Sequence, residues 1–105
     1  MLKPINDSTF HDEVRENTDT AVVYFTGSWC KPCKSFGPIV ELMAQRMNGD
    51  VRFFKADMDD VEMTAVELNI RSLPSLVLFD GGMVREIKSG TMTSEELRLW
   101  IQENI

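Results

Sequence analysis

Ala21-Val22-Val23-Tyr24-Phe25-Thr26-Gly27-Ser28-Trp29-Cys30-Lys31-Pro32-Cys33 is the stretch on which the reading of this chain turns. Its nearly continuous apolar opening, Ala21 to Thr26, predicts a central strand covered on both faces. Gly27-Ser28 reads as a loop, and a helical pattern follows from Lys34 to Met47. Both cysteines of the protein lie in this stretch, separated by Lys31 and Pro32. A strand that leads through Cys-x-x-Cys into a helix is a redox site with a physical rationale. Residues three apart on a helix are neighbours at roughly 5–6 Å, inside the roughly 4.4–6.8 Å that a disulfide tolerates. The first cysteine also meets the positive end of the helix dipole and free backbone N–H groups, which favour thiolate over thiol. Two other readings are weaker. A structural zinc needs four ligands, and the chain offers two cysteines and one histidine, His11. A static disulfide across so short a loop adds little stability.

The remaining composition narrows the class. A length of 105 residues predicts one domain, residues 1–105, with a core that needs no staple. The net charge of −6 argues against nucleic acid or an anionic membrane as partner. No apolar run approaches the ~20 residues that span a bilayer. Met1 to Asp7 carries no apolar signal core, so the chain as given is expected to be cytoplasmic. A cytoplasmic setting also disfavours the cysteines as a staple.

Taken in order, Leu2 to Ile5 reads as a short edge strand that tolerates Pro4. Asn6-Asp7-Ser8 offers caps for a helix from about Thr9 to Glu16, with Phe10 and Val14 as its apolar stripe. After the cysteines, Phe36, Ile39, Val40, Met43, Ala44 and Met47 recur at helical period around an internal Pro38, which predicts one bent helix ended by Asn48-Gly49. Val51 to Lys55 is the third strand. Asp57 to Asp60 is expected to cap a helix from about Val61 to Leu68. Ser75 to Phe79 and Met83 to Lys88 flank a hairpin turn at Asp80-Gly81-Gly82. The last helix opens at Ser94-Glu95-Glu96 and turns Leu97, Trp100 and Ile101 inward. The seven methionines read mostly as core filling, Met58 excepted. The order βαβαβαββα predicts an α/β fold: a mixed sheet of about five strands with about four helices on both faces.

With that order in hand, the chain resembles the thioredoxin family over nearly its whole length. The resemblance rests on Phe25, Trp29-Cys30-Lys31-Pro32-Cys33-Lys34, Pro38, Lys55 and Asp59, then Ile70-Arg71-Ser72-Leu73-Pro74-Ser75-Leu76, Phe79, Gly82 and Gly90. It implies a thioredoxin fold and a protein-disulfide reductase. Cys30 would be the exposed nucleophile and Cys33 the resolving cysteine, forming a redox-active disulfide with no bound cofactor or metal. Pro74 would be a cis-proline beside the pair, with Leu73 pairing to the substrate backbone. Trp29, Pro32, Met58, Ser72, Gly90 and Thr91 would form a flat apolar rim, and Lys55 would be a partly buried lysine near the site. The implied partners are disulfide-containing proteins and an NADPH-dependent thioredoxin reductase, with the chain acting as a monomer.

Three departures from the family pattern stand out. Lys31 replaces a usual glycine, and a cation between the cysteines should favour the Cys30 thiolate. Tyr24 stands where the family has a buried aspartate that moves a proton to or from the resolving cysteine. A phenol with a reference pKa near 10 is a poor base at pH 7, so Tyr24 reads more simply as a large core residue, leaving water, Lys55 or Asp57 for the proton. Thr26 replaces a frequent tryptophan. His11 and the acidic residues Asp57, Asp59 and Asp60 read as solvated surface, without the glycine and distal glutamate of a calcium loop. An oxidase or isomerase of the same fold, or a non-catalytic subunit, are the competing functions.

Overall fold

The computed structural model describes residues 2–105. Five strands form one sheet: β1 (Lys3–Ile5), β2 (Thr20–Thr26), β3 (Arg52–Asp57), β4 (Ser75–Asp80) and β5 (Met83–Ser89). They lie in the order β1-β3-β2-β4-β5. β1 and β2 both run parallel to β3, while β4 runs antiparallel to β2 and to β5. Pro4 thus sits on an edge strand, where a missing donor is harmless. The α-helices are α1 (Lys31–Arg46), α2 (Glu62–Glu67) and α3 (Ser94–Asn104), and a π-helical turn covers His11–Arg15.

Side chains alternate along β2 and sort the core into two layers. Val23 and Phe25 face one side, with Phe54, Val77 and Phe79; Phe10 and Val14 cover them, together with Val61, Ala65 and Leu68 around α2. Val22 and Tyr24 face the other, with Phe53, Leu76 and Leu78, under Phe36, Val40 and Met43 of α1 and Leu97 and Ile101 of α3. Edge-to-face aromatic pairs join helix to sheet in both layers, Phe10 with Phe79 and Tyr24 with Phe36. β5, by contrast, is exposed along its whole length.

Several local expectations change. The segment expected as an ordinary helix over Thr9 to Glu16 is a π-helical turn, with Asn6 Oδ1 accepting the Ser8 and Thr9 N–H groups. An i, i+4 apolar pair fixes which residues share a face but not whether the turn closes at i+4 or i+5. α1 begins at Lys31, not Lys34, because Cys30 itself is the N-cap and Pro32 falls in the first turn, where its missing N–H costs nothing. At its other end Met47 is the C-cap, and Gly49 takes positive φ two residues later. The acidic link does not cap α2. Asp7 does so from across the fold: Oδ1 accepts the Thr64 N–H at 2.9 Å and the Thr64 hydroxyl at 2.7 Å, and Oδ2 accepts the Met63 N–H at 3.1 Å. α3 is capped by Thr93 and Glu96, whose side chains and backbone N–H groups bond reciprocally. Trp100 is half-buried against the core layer below it. Of the described methionines only Met43, Met47 and Met92 are buried, and Met63 and Met83 lie on the surface.

The hairpin between β4 and β5 follows the expected turn. Gly81 and Gly82 both have positive φ, which a two-residue turn of the I′ kind requires. A side chain at Gly82 would also run into the Arg15 carbonyl, so this glycine fixes the hairpin against the π-helical turn.

Candidate active site

β2 delivers the chain to the site through Gly27. A Cβ built on Gly27 would lie 3.1 Å from Trp29 Cε2 and 3.2 Å from Leu73 Cδ1. The glycine therefore lets the indole of Trp29 and the side chain of Leu73 close over the backbone from two sides. Its carbonyl accepts the Cys30 N–H at 3.1 Å, which turns the chain into α1. Trp29 keeps 67% of its surface exposed. Sequence reasoning passed over Gly27; the visible signal was a glycine placed directly between a buried strand and the tryptophan.

Cys30 and Cys33 are joined by a disulfide with their Cα atoms 5.4 Å apart. Cys30 is extended, at φ −92° and ψ 108°, and its sulfur accepts the Cys33 N–H at 3.3 Å. That N–H is one of the free donors of the first helical turn, so a thiolate at Cys30 would meet both a donor and the positive helix end. The expectation of an exposed nucleophile does not hold in this oxidised state: Cys30 is 5% exposed and Cys33 3%. The Cys30 sulfur is folded back onto the helix terminus by its bond to Cys33 and by the Cys33 N–H. Lys31 and Pro32, between them, are exposed.

Behind Cys33 an open cleft of about 720 Å³ runs between the sheet and α1, lined by Tyr24, Lys55, Asp57, Lys34 and Glu41 among others. Tyr24 is buried, and its hydroxyl donates to the Cys33 carbonyl at 3.0 Å. Burial pushes its ionisation above the ordinary phenol value, and the Thr26 side chain pulls weakly the other way. The satisfied core tyrosine is thus what stands there. Lys55, expected to be partly buried, is exposed; its long stem lets the ammonium reach water from the cleft wall. Asp57 is half-buried and its Oδ1 accepts the Asp59 N–H at 3.0 Å, closing a local turn.

The second wall is the loop before β4. The Leu73–Pro74 peptide is cis, and Pro74 is buried. Ser75 donates to the Ser72 carbonyl at 2.7 Å, and the Gly90 N–H donates to the Pro74 carbonyl at 2.9 Å. Pairing of Phe25 with Ser75 sets Pro74 against the end of β2 that leads to the cysteines. Gly90 has φ +91°, a backbone that suits glycine. Met58 is half-buried against the core and bonds through its N–H to the Thr26 carbonyl at 2.9 Å. Thr91, the residue after Gly90, lines a shallow groove with Ser35, Phe36 and Ile39 of α1. So the fold brings Trp29, Leu73 and Gly27 together, ties Pro74 to Gly90, and gathers Tyr24, Lys55 and Asp57 behind Cys33.

His11 is exposed, 3.9 Å from Glu16, on the π-helical turn. Among the described residues no three His, Cys, Asp or Glu side chains converge as a metal site. The chemistry the arrangement carries lies in the two bonded sulfurs, which exchange electrons by making and breaking disulfides.

The sequence as a whole matches the family described as Thioredoxin over residues 1–103. A thioredoxin of Rickettsia conorii (strain ATCC VR-613 / Malish 7) is 33% identical over 105 residues, all of both chains. Thioredoxin C-2 of Corynebacterium nephridii is 33% identical over 99 residues, 94% of this chain and 92% of the relative. The chloroplastic thioredoxin M-type of Brassica napus is 34% identical over 93 residues, 89% of this chain and 52% of the relative.

Proposed function

The chain belongs to the thioredoxin family, and from that premise we propose that it works as a protein-disulfide reductase. It is a disulfide oxidoreductase with a redox-active Cys30–Cys33 pair. The finer assignment of direction and roles is our own. The Cys30 thiolate attacks one sulfur of a partner disulfide, and the other partner sulfur leaves as a thiolate that takes a proton. Cys33 loses its proton, attacks the Cys30 sulfur and displaces the second partner sulfur. The partner gains two electrons and two protons, and the pair is left as the disulfide. Leu73 offers its backbone to the visiting strand beside Pro74, while Trp29, Pro32, Met58, Ser72 and Gly90 form the rim it lies against. Thr91, next to Gly90, extends that rim towards α1.

The observation that supports these roles most is the capping position of Cys30. The residue whose sulfur already accepts a helix N–H is the one best able to carry negative charge and to leave again. Recharging falls to a reductase drawing on NADPH, and neither metal nor organic cofactor is required. We place the protein in the cytoplasm as a monomer; no described helix is long and apolar enough to cross a membrane. Turnover of insulin disulfides by the reduced protein tests the reading. Activity is expected to vanish in Cys30→Ser; reduction that survives that change would remove the assignment.

A further inference from the structure

Resolution of the mixed disulfide needs the thiolate of Cys33, so some group must receive its proton. This question rests on the exchange reading above. The cleft behind Cys33 holds five ionisable side chains from three elements: Tyr24 on β2, Lys55 and Asp57 on β3, and Lys34 and Glu41 on α1. Tyr24 is spent as a donor to the Cys33 carbonyl. Lysine ammonium groups have no acceptor site. Two carboxylates remain, and the geometry separates them. Glu41 lies eight residues past Cys33 along α1, roughly 12 Å of helix. Asp57 pairs in register with Thr26, as Lys55 does with Tyr24. Paired residues of neighbouring strands point to the same face. Tyr24 faces α1, so Asp57 does too, one side-chain level nearer the cysteine motif than the phenol that touches Cys33. Its Oδ1 holds the Asp59 N–H, whereas Oδ2 has no hydrogen-bond partner among the described residues. Gly37 lines the same cleft.

We propose that Asp57, through water in this cleft, receives the Cys33 proton as Cys33 attacks the mixed disulfide. The S–H bond breaks, the Cys33–Cys30 bond forms, the Cys30–partner bond breaks, and the carboxyl returns its proton to solvent afterwards.

The test is single-turnover release of a reduced peptide from the full-length reduced protein, between pH 5.5 and 9.5, at disulfide-peptide concentrations where the rate no longer rises. Asp57→Asn should slow release about tenfold at pH 6–7. That is less than the ~10²–10⁴ typical of acid–base groups, because a thiol is already partly ionised there. The deficit should close by pH 9.5, and Asp57→Glu should restore the neutral rate. A purely electrostatic role runs the other way, since removing a nearby negative charge eases ionisation of Cys33. Release in Asp57→Asn that is unchanged, faster, or slower by one factor at every pH overturns the proposal. So does an equal pH-dependent loss in Glu41→Gln. Wild-type protein that releases no peptide at any pH removes the exchange reading itself, and this inference with it.

Discussion

At the scale of single residues, the site is set by two that are not sulfur-bearing. Gly27 admits Trp29 and Leu73 at 3.1–3.2 Å from where a methyl group would stand. Gly27→Ala is expected to push the exposed indole and the Leu73 side chain aside by a few tenths of an ångström. Stability should fall by no more than about 1 kcal/mol, since an exposed ring can yield, while KM for a disulfide peptide rises and kcat holds. Peptide kinetics beside a urea melt would separate the two effects. Lys31, exposed in the first turn of α1, places a cation between the sulfurs. Attraction between an exposed cation and a neighbouring anion is worth roughly 0.2–1 kcal/mol. Stabilising the thiolate stabilises the reduced form, and ~30 mV corresponds to about 1.4 kcal/mol. Lys31→Gly should therefore make the couple more reducing by about 5–20 mV against a glutathione or dithiothreitol buffer. A variant equal to or more oxidising than the parent contradicts this role.

At the scale of elements, the chain closes its helices with groups from elsewhere. The six residues of α2 lean on Asp7. The Asp7 carboxyl is held below its ordinary range, chiefly by the Thr64 hydroxyl, with the Thr64 and Met63 N–H groups adding to it against partial desolvation. A carboxyl whose folded pKa is depressed contributes its full stabilisation above the unfolded value of ~3.9 and loses it as pH falls through the folded value. Asp7→Ala should cost about 1–2 kcal/mol at pH 7, the size of a lost cap with a charged acceptor. The gap to the parent should narrow below pH 4, read by urea unfolding at pH 7 and pH 3. A gap that stays constant over that range would place the cost in packing instead.

At the scale of the molecule, the sheet was legible because its signals are local. The apolar run Ala21–Phe25 and the Gly81-Gly82 turn each sit in one short window, and the family resemblance anticipated cis-Pro74. What escaped were features made by distance or by state. The Asp7 cap joins residues 57 positions apart, so the nearer Asp57 to Asp60 looked like the cap. The π-helical turn differs from an α-turn only in its closure. Lys55 reaches solvent and Cys30 loses it for reasons that depend on neighbours across the sheet and on the oxidised pair. The cysteine motif itself was read from five residues, its nucleophile and resolving roles came with the family resemblance, and the capping sulfur of Cys30 appears only in the fold. Trapping tests those roles most directly. Reduced Cys33→Ser protein, incubated with a disulfide-bonded peptide, should accumulate one peptide per chain, located by mass spectrometry on Cys30. A chain that traps nothing, or a Cys30→Ser chain that traps as much through Cys33, would contradict it.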